Sequence, residues 1–166
     1  MGNMLRSLGE AGYEVRRIET QPETPKSPNL FEELVTDSQL RETSGPLFRD
    51  RHYARAVEEA FKYLNNAVKG KSGRTEGDGA SLMQTVFSAN APILLLNAFQ
   101  SQSEKDEQLG YMQIFAGSMT GIRNPRAHDH QLMDDPDVAL ELLVLANHLM
   151  RKLDTATKQE PPTLGT

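Results

Sequence analysis

The clearest helical pattern in the chain is the stretch YARAVEEAFKYLNNAVK at residues 53–69. Its apolar residues recur every three or four positions, which places five of them on one stripe of an α-helix: Ala54, Val57, Phe61, Leu64 and Val68. Lys69 and Gly70 at its end suit a helix C-terminus, where a cation and a glycine are favourable. The stretch therefore predicts an amphipathic helix with one face in a core.

Two further long helices are predicted in the second half of the chain. Ser103 is expected to cap a helix whose apolar residues extend to Ile122, and Asp134-Asp135-Pro136 is expected to begin another that ends near Leu153. The last helix carries Leu143, Val144 and Met150 outside its main apolar stripe. This extra apolar surface predicts burial against a second copy of the chain.

The remaining segments give weaker patterns. A short helix is expected from Asn29 until Gly45-Pro46 breaks it, and the four glycines in residues 70–80 predict a loop without a nucleotide-binding motif. Ile93 to Leu96 form an apolar run that fits either a buried strand or a buried helix. The sequence as a whole predicts an all-α fold, a bundle of four to five helices.

The chain divides into three predicted parts. Residues 1–28 are expected to be a flexible arm with a proline-rich linker, because three prolines fall within residues 20–28. Residues 29–154 are expected to form the helical domain, and residues 155–166 a disordered tail.

Composition restricts the function. The 166 residues include no cysteine, which excludes thiolate metal sites and disulfides and favours a reducing compartment such as the cytoplasm. No apolar run is long enough for a membrane span, and no signal peptide is recognisable. The net charge of −5 argues against sequence-independent coating of nucleic acid but allows a local basic site.

The densest polar cluster is RNPRAHDH at residues 123–130, directly after an apolar helix. Arginine is a permanent cation that binds phosphate oxygens, and histidine exchanges protons near neutral pH. Together they supply what RNA cleavage without a metal requires. Two other interpretations remain open: Arg123 and Asn124 could cap the helix, which Pro125 is expected to end, and His128 with His130 could bind zinc.

Residues 121–128, GIRNPRAH, resemble the Arg-x(4–6)-His signature of the HEPN superfamily. Further stretches at residues 47–61, 79–83 and 149–153 resemble a bacterial branch of it, the Ymh family, so that the likeness covers residues 37–154 in order. Arg51 stands where relatives often have glycine.

The resemblance implies a helical bundle that dimerises through the face carrying the motif. It also implies a metal-independent endoribonuclease that acts on RNA without a cofactor, as an effector of antiphage defence or of a toxin–antitoxin system with a partner protein. Arg123 and His128 then take the catalytic positions, and Asn124, Arg126 and His130 support the site or bind RNA. His130 also satisfies the motif spacing. The alternative is an inactive HEPN relative that serves as a binding or assembly module.

Overall fold

The computed structural model describes residues 29–129 and 131–159. Within these residues the chain is mostly helical, as the sequence predicts. The helices, in chain order, are α1 (Asn29–Leu34), α2 (Ser38–Arg49), α3 (Tyr53–Ser72), α4 (Gly79–Val86), α5 (Gln102–Ser118), α6 (Asn124–His128) and α7 (Pro136–Thr155). A π-helical turn, Met119–Arg123, joins α5 to α6. None of the described helices has the length and apolar character that a membrane span requires.

Helix α3 lies at the centre of the fold. Four residues of its predicted stripe, Val57, Phe61, Leu64 and Val68, are completely buried, because α3 packs against α2 on one side and α7 on another. The helix continues past the predicted end at Gly70 and stops at Gly73, whose φ of 74° suits glycine. The apolar spacing therefore predicted the buried face of α3 correctly and its end only approximately.

The first predicted helix is two helices, which makes the bundle larger than the four to five helices expected. Asp37 separates them, and its side chain accepts a hydrogen bond from the Leu40 N–H at 2.7 Å as the N-cap of α2. Pro46 lies inside α2 and does not end it, contrary to the prediction. The lost bond costs little there, because Pro46 and Glu42, whose carbonyl loses its donor, are both exposed to water.

Helix α2 ends in a Schellman motif, in which two backbone N–H groups close the last turn. The His52 N–H donates to the Leu47 carbonyl at 2.8 Å, and the Arg51 N–H donates to the Phe48 carbonyl at 3.1 Å. Arg51 occupies the position of this motif that requires a left-handed backbone, with φ of 63°. Glycine adopts that conformation without strain, so a glycine at this position would relieve the backbone.

The apolar run at Ile93 to Leu96 contains a short strand, β1 (Leu94–Leu95), which pairs antiparallel with β2 (Thr157–Lys158). The buried side chain of Gln108 fixes β1, because its amide accepts from the Leu96 N–H at 2.9 Å and donates to the Leu94 carbonyl at 3.0 Å. The disordered tail was predicted to begin at residue 155. Residues 155–159 are instead part of the fold.

Helix α7 begins at Pro136 with Asp135 as its N-cap, as predicted. Two of the residues outside its main stripe, Leu143 and Met150, are 0% and 3% exposed within the single chain. For these two residues the prediction of burial against a second copy is wrong, because the chain's own core already covers them; Val144 is half-buried, and for it the prediction stays untested. Helix α5, in contrast, begins earlier than predicted: Ser101, and not Ser103, caps it in a capping box with Glu104.

Candidate functional site

The polar cluster at residues 123–128 lies on a helix that is continuous with α5. The Asn124 N–H donates to the Met119 carbonyl five residues earlier, which defines the π-helical turn, and Pro125 then falls in the first turn of α6. Pro125 has no N–H to continue the helical bonding, and the wider π-helical turn directly before it accommodates the proline without ending the helix. The prediction that Pro125 ends the helix near Asn124 is therefore wrong, and the helix continues to His128.

Arg123 is half-buried at the end of the π-helical turn. Its Nη1 donates to the Asn124 Oδ1 at 3.1 Å, while its Nε is buried without a hydrogen-bond partner. Among the described residues, no carboxylate lies within ion-pair distance of its guanidinium. Arg123 thus keeps donors that are not committed to an acidic side chain.

His128 is exposed at the end of α6. Asn124 precedes it by four residues, so the two side chains lie one turn apart on the same face of the helix. Arg123 precedes His128 by five residues, a rotation of roughly 140° at 3.6 residues per turn. Within one chain, the side chains of Arg123 and His128 therefore point in different directions. The hydrogen bond from Arg123 to Asn124 links Arg123 to the helix face that carries His128.

Arg126 has a structural partner. Its Nε and Nη2 donate to the two carboxylate oxygens of Asp134, each at 2.6 Å, and its Nη1 donates to the Ile122 carbonyl at 2.8 Å. The side chains of Arg126 and Asp134 are only 8% and 7% exposed. This geometry gives no support to the prediction that Arg126 binds RNA, because the ion pair instead fastens the loop before α7 to the motif helix.

Asp78, which the sequence analysis did not select, lies in the surroundings of Arg123. Partial burial raises the pKa of the Asp78 carboxyl, but hydrogen bonds from Asn65 and Lys69 and the positive charges of Lys69 and Arg123 outweigh this effect and lower the pKa below its usual range. The Asp78 carboxylate is thus stabilised as an anion, and the charge of Arg123 contributes to this stabilisation. The only sequence signal for it is an acid between two glycines, Gly77 and Gly79, in a loop.

A family profile described as "Protein of unknown function (Hypoth_ymh)" matches residues 35–153. The chain belongs to this family. The match covers both the motif helix and the Asp78 loop, and it confirms the likeness to the Ymh family that the sequence showed. Comparison with curated proteins and with solved structures found no match.

The Hypoth_ymh description assigns no activity, so the chemistry rests on the residues themselves. His130, predicted as a supporting residue and as an alternative catalytic histidine, lies outside the described residues. Within residues 29–129 and 131–159, no group of three histidine or acidic side chains is arranged to hold a metal ion. Arg123, Asn124 and His128 are therefore the predicted site residues that remain candidates, with Arg123 bonded to Asn124 and His128 exposed.

Proposed function

We propose that this protein is a metal-independent endoribonuclease of the HEPN superfamily. The observation that carries the proposal is the arrangement of Arg123, Asn124 and His128: a guanidinium without an acidic ion-pair partner in the described chain is hydrogen-bonded to an amide whose helix face ends in an exposed imidazole. A fixed cation and a titratable ring are the two groups that phosphodiester transfer requires.

In the proposed reaction, a base removes the proton from a ribose 2′-OH, and this oxygen attacks the adjacent phosphorus. The bond to the 5′-oxygen breaks, an acid protonates that oxygen, and the products carry a 2′,3′-cyclic phosphate and a 5′-OH. Arg123 would bind a non-bridging phosphate oxygen, where negative charge increases in the transition state. His128 would serve as the base or the acid, a contribution of about 10²–10⁴-fold in rate.

A second copy of the chain supplies what one copy lacks. The reaction needs a base and an acid, and each chain offers one described histidine in the motif, about 140° around the helix from Arg123. Exposed apolar residues on α5, on the loop before α7 and on α7 suit a homodimer interface: Ile114 is 46%, Met133 90% and Val138 44% exposed. We propose that two copies meet through the face that carries the motif and form one composite cleft.

The proposed setting is the cytoplasm, where such an enzyme would act as an effector of antiphage defence or of a toxin–antitoxin pair with a partner protein. The second candidate is an inactive relative that serves as a binding or assembly module. The observation that favours it is the same 140° separation, because a chain that never pairs with its copy would not assemble Arg123 and His128 around one phosphate.

The test is cleavage of end-labelled RNA in excess EDTA by the native protein, by His128→Ala and by a control, His52→Ala. His52 is also exposed, and its neighbours Arg49 and Arg55 are ion-paired to glutamates. We expect native protein and the control to leave cyclic phosphate ends and His128→Ala to lose activity. Absence of cleavage by native protein, with dimers seen by light scattering, would favour the binding module. Restoration of cleavage by added zinc would replace the proposal with a metal site that includes His130.

A further inference from the structure

The loop before α4 presents Asp78 in a conformation that two glycines make accessible. Gly77 and Gly79 have φ values of 85° and 55°, in the left-handed region that other residues rarely adopt. Asp78 occupies the N-cap position of α4, yet its side chain makes no capping hydrogen bond. Its carboxylate points instead towards α3, so the usual reason for an aspartate at this position does not apply.

Asn65 holds this loop from within the core. It is 6% exposed on α3, and its amide is used at both ends: Nδ2 donates to the Asp78 Oδ1 at 2.5 Å, and Oδ1 accepts from the Gly79 N–H at 2.9 Å. Lys69, one turn further along α3, places its Nζ 3.4 Å from the same Asp78 oxygen. The carboxylate is therefore fixed relative to α3, although more than half of its side chain is exposed.

The same junction touches the helix that carries the motif. A Cβ added to Gly79 would lie 3.9 Å from the Cβ of Met119, the first residue of the π-helical turn. Arg123 follows Met119 by four residues, about one turn later and so on the same side of the helix. Asp78, next to Gly79, thus lies near the turn that carries Arg123, and the positive charge of Arg123 helps to lower the pKa of the Asp78 carboxyl although the two side chains form no ion pair.

We infer that Asp78 is a positioning residue for Arg123. The fixed carboxylate attracts the guanidinium and limits the orientations that it adopts on the helix, so that its remaining donors face the phosphate. The inference rests on the proposed function for its catalytic meaning, but the coupling between the two residues is a property of the folded chain alone. Asp78 itself forms no contact with the reacting atoms.

If Asp78 positions Arg123, removal of its charge should lower kcat without weakening the binding of RNA. Without the anion, Arg123 and Lys69 attract RNA phosphates at least as strongly, so KM is expected to stay constant or to fall. The guanidinium is then less well oriented in the transition state, and kcat is expected to fall by about tenfold to a hundredfold. Loss of fold would instead reduce the amount of active protein and the unfolding midpoint together.

The experiment compares Asp78→Asn with a matched control, Glu76→Gln, which removes the same charge from an exposed position two residues earlier. Asp78→Asn is nearly isosteric and retains an oxygen for Asn65. We expect it to lower kcat while KM does not rise, and Asp78→Glu to restore part of kcat. Glu76→Gln is expected to leave kcat unchanged. Equal effects of the two substitutions, or a rise in KM alone, would overturn the inference.

A double-variant cycle separates this inference from the proposed function. The urea midpoint is measured for native protein, Asp78→Asn, Arg123→Gln and the two combined. If Asp78 holds Arg123, the combined variant loses less than the sum of the single losses. Additive losses overturn the inference whether or not RNA is cleaved. Non-additive losses in a protein that cleaves no RNA would support the positioning of Arg123 and refute the nuclease.

Discussion

Removing one partner of the ion pair between Arg126 and Asp134 should strongly destabilise the region of the candidate site. Both side chains are more than 90% buried and joined by two hydrogen bonds of 2.6 Å. Replacing Asp134 by asparagine keeps the shape but leaves the Arg126 charge without its counter-ion. Removal of one partner from a buried pair costs about 3–5 kcal/mol. We take the lower end, about 3 kcal/mol, because the asparagine oxygen can still accept one of the two hydrogen bonds from Arg126.

A loss of about 3 kcal/mol corresponds to a large fall in melting temperature. For a folded region of about 130 residues, at an unfolding entropy of about 2.1 cal/mol/K per residue, we expect Asp134→Asn to lower Tm by about 10 °C. The control is Glu32→Gln, which removes a partner of Arg49 from a pair whose side chains are 54% and 44% exposed. That substitution should cost less than about 1 kcal/mol, because water screens an exposed pair.

The assay is thermal unfolding followed by circular dichroism, with both variants and native protein in the same buffer. Arg126→Met combined with Asp134→Leu should recover most of the loss, because it leaves no unpaired buried charge. The reasoning is refuted if Asp134→Asn and Glu32→Gln change Tm equally, since burial would then not govern the strength of the pair.

Three further predictions concern other parts of the fold. Arg51→Gly should raise the free energy of unfolding by about 0.5–1 kcal/mol in urea titrations, since glycine relieves the left-handed strain but gains entropy in the unfolded chain; a destabilised variant would contradict this. Glu104→Gln should lower Tm more at pH 7 than at acidic pH. Hydrogen bonds from the N–H groups of Ser101 and Gln100 lower the pKa of Glu104, so its stabilisation is complete above the ordinary glutamate pKa of about 4.3 and is lost as the pH falls through the lowered pKa of the folded state; an equal loss at all pH values would exclude this cause. Asn147→Ala should cost about 2 kcal/mol by chemical denaturation, because it leaves two backbone N–H groups at the α1–α2 junction without their acceptor; a cost near zero would mean that water replaces the amide.

The buried face of α3 could be predicted from the sequence because helical periodicity is a local property. Every third or fourth residue of that stretch faces the same side whatever packs against it. Helix ends were harder, since local rules admit more than one answer. Ser101 and Ser103 each have an acid three residues later, and only the folded chain shows that Ser101 forms the capping box.

Proline gave the least reliable signal. The sequence indicated that Pro46 and Pro125 end helices, since each lacks an N–H. In the folded chain Pro46 faces solvent inside α2, and the π-helical turn before Pro125 places it in the first turn of α6. Pro46 is tolerated because the carbonyl that loses its donor is exposed to water. Pro125 is tolerated because the preceding π-helical turn changes which carbonyls the next N–H groups reach. That information is not contained in the local sequence.

The helical class, the central helix and the presence of Arg123, Asn124 and His128 within six residues could all be read from the sequence alone. The sequence does not show which of the arginines forms an ion pair in the folded chain and which keeps donors free of an acidic partner. Only the tertiary structure pairs Arg126 with Asp134, leaves Arg123 without an acidic ion-pair partner in the described chain, and brings Asp78 from another loop into its field. The physical reason is distance along the chain. Periodicity is set by neighbouring residues, whereas ion pairs and burial are set by segments that meet only after folding.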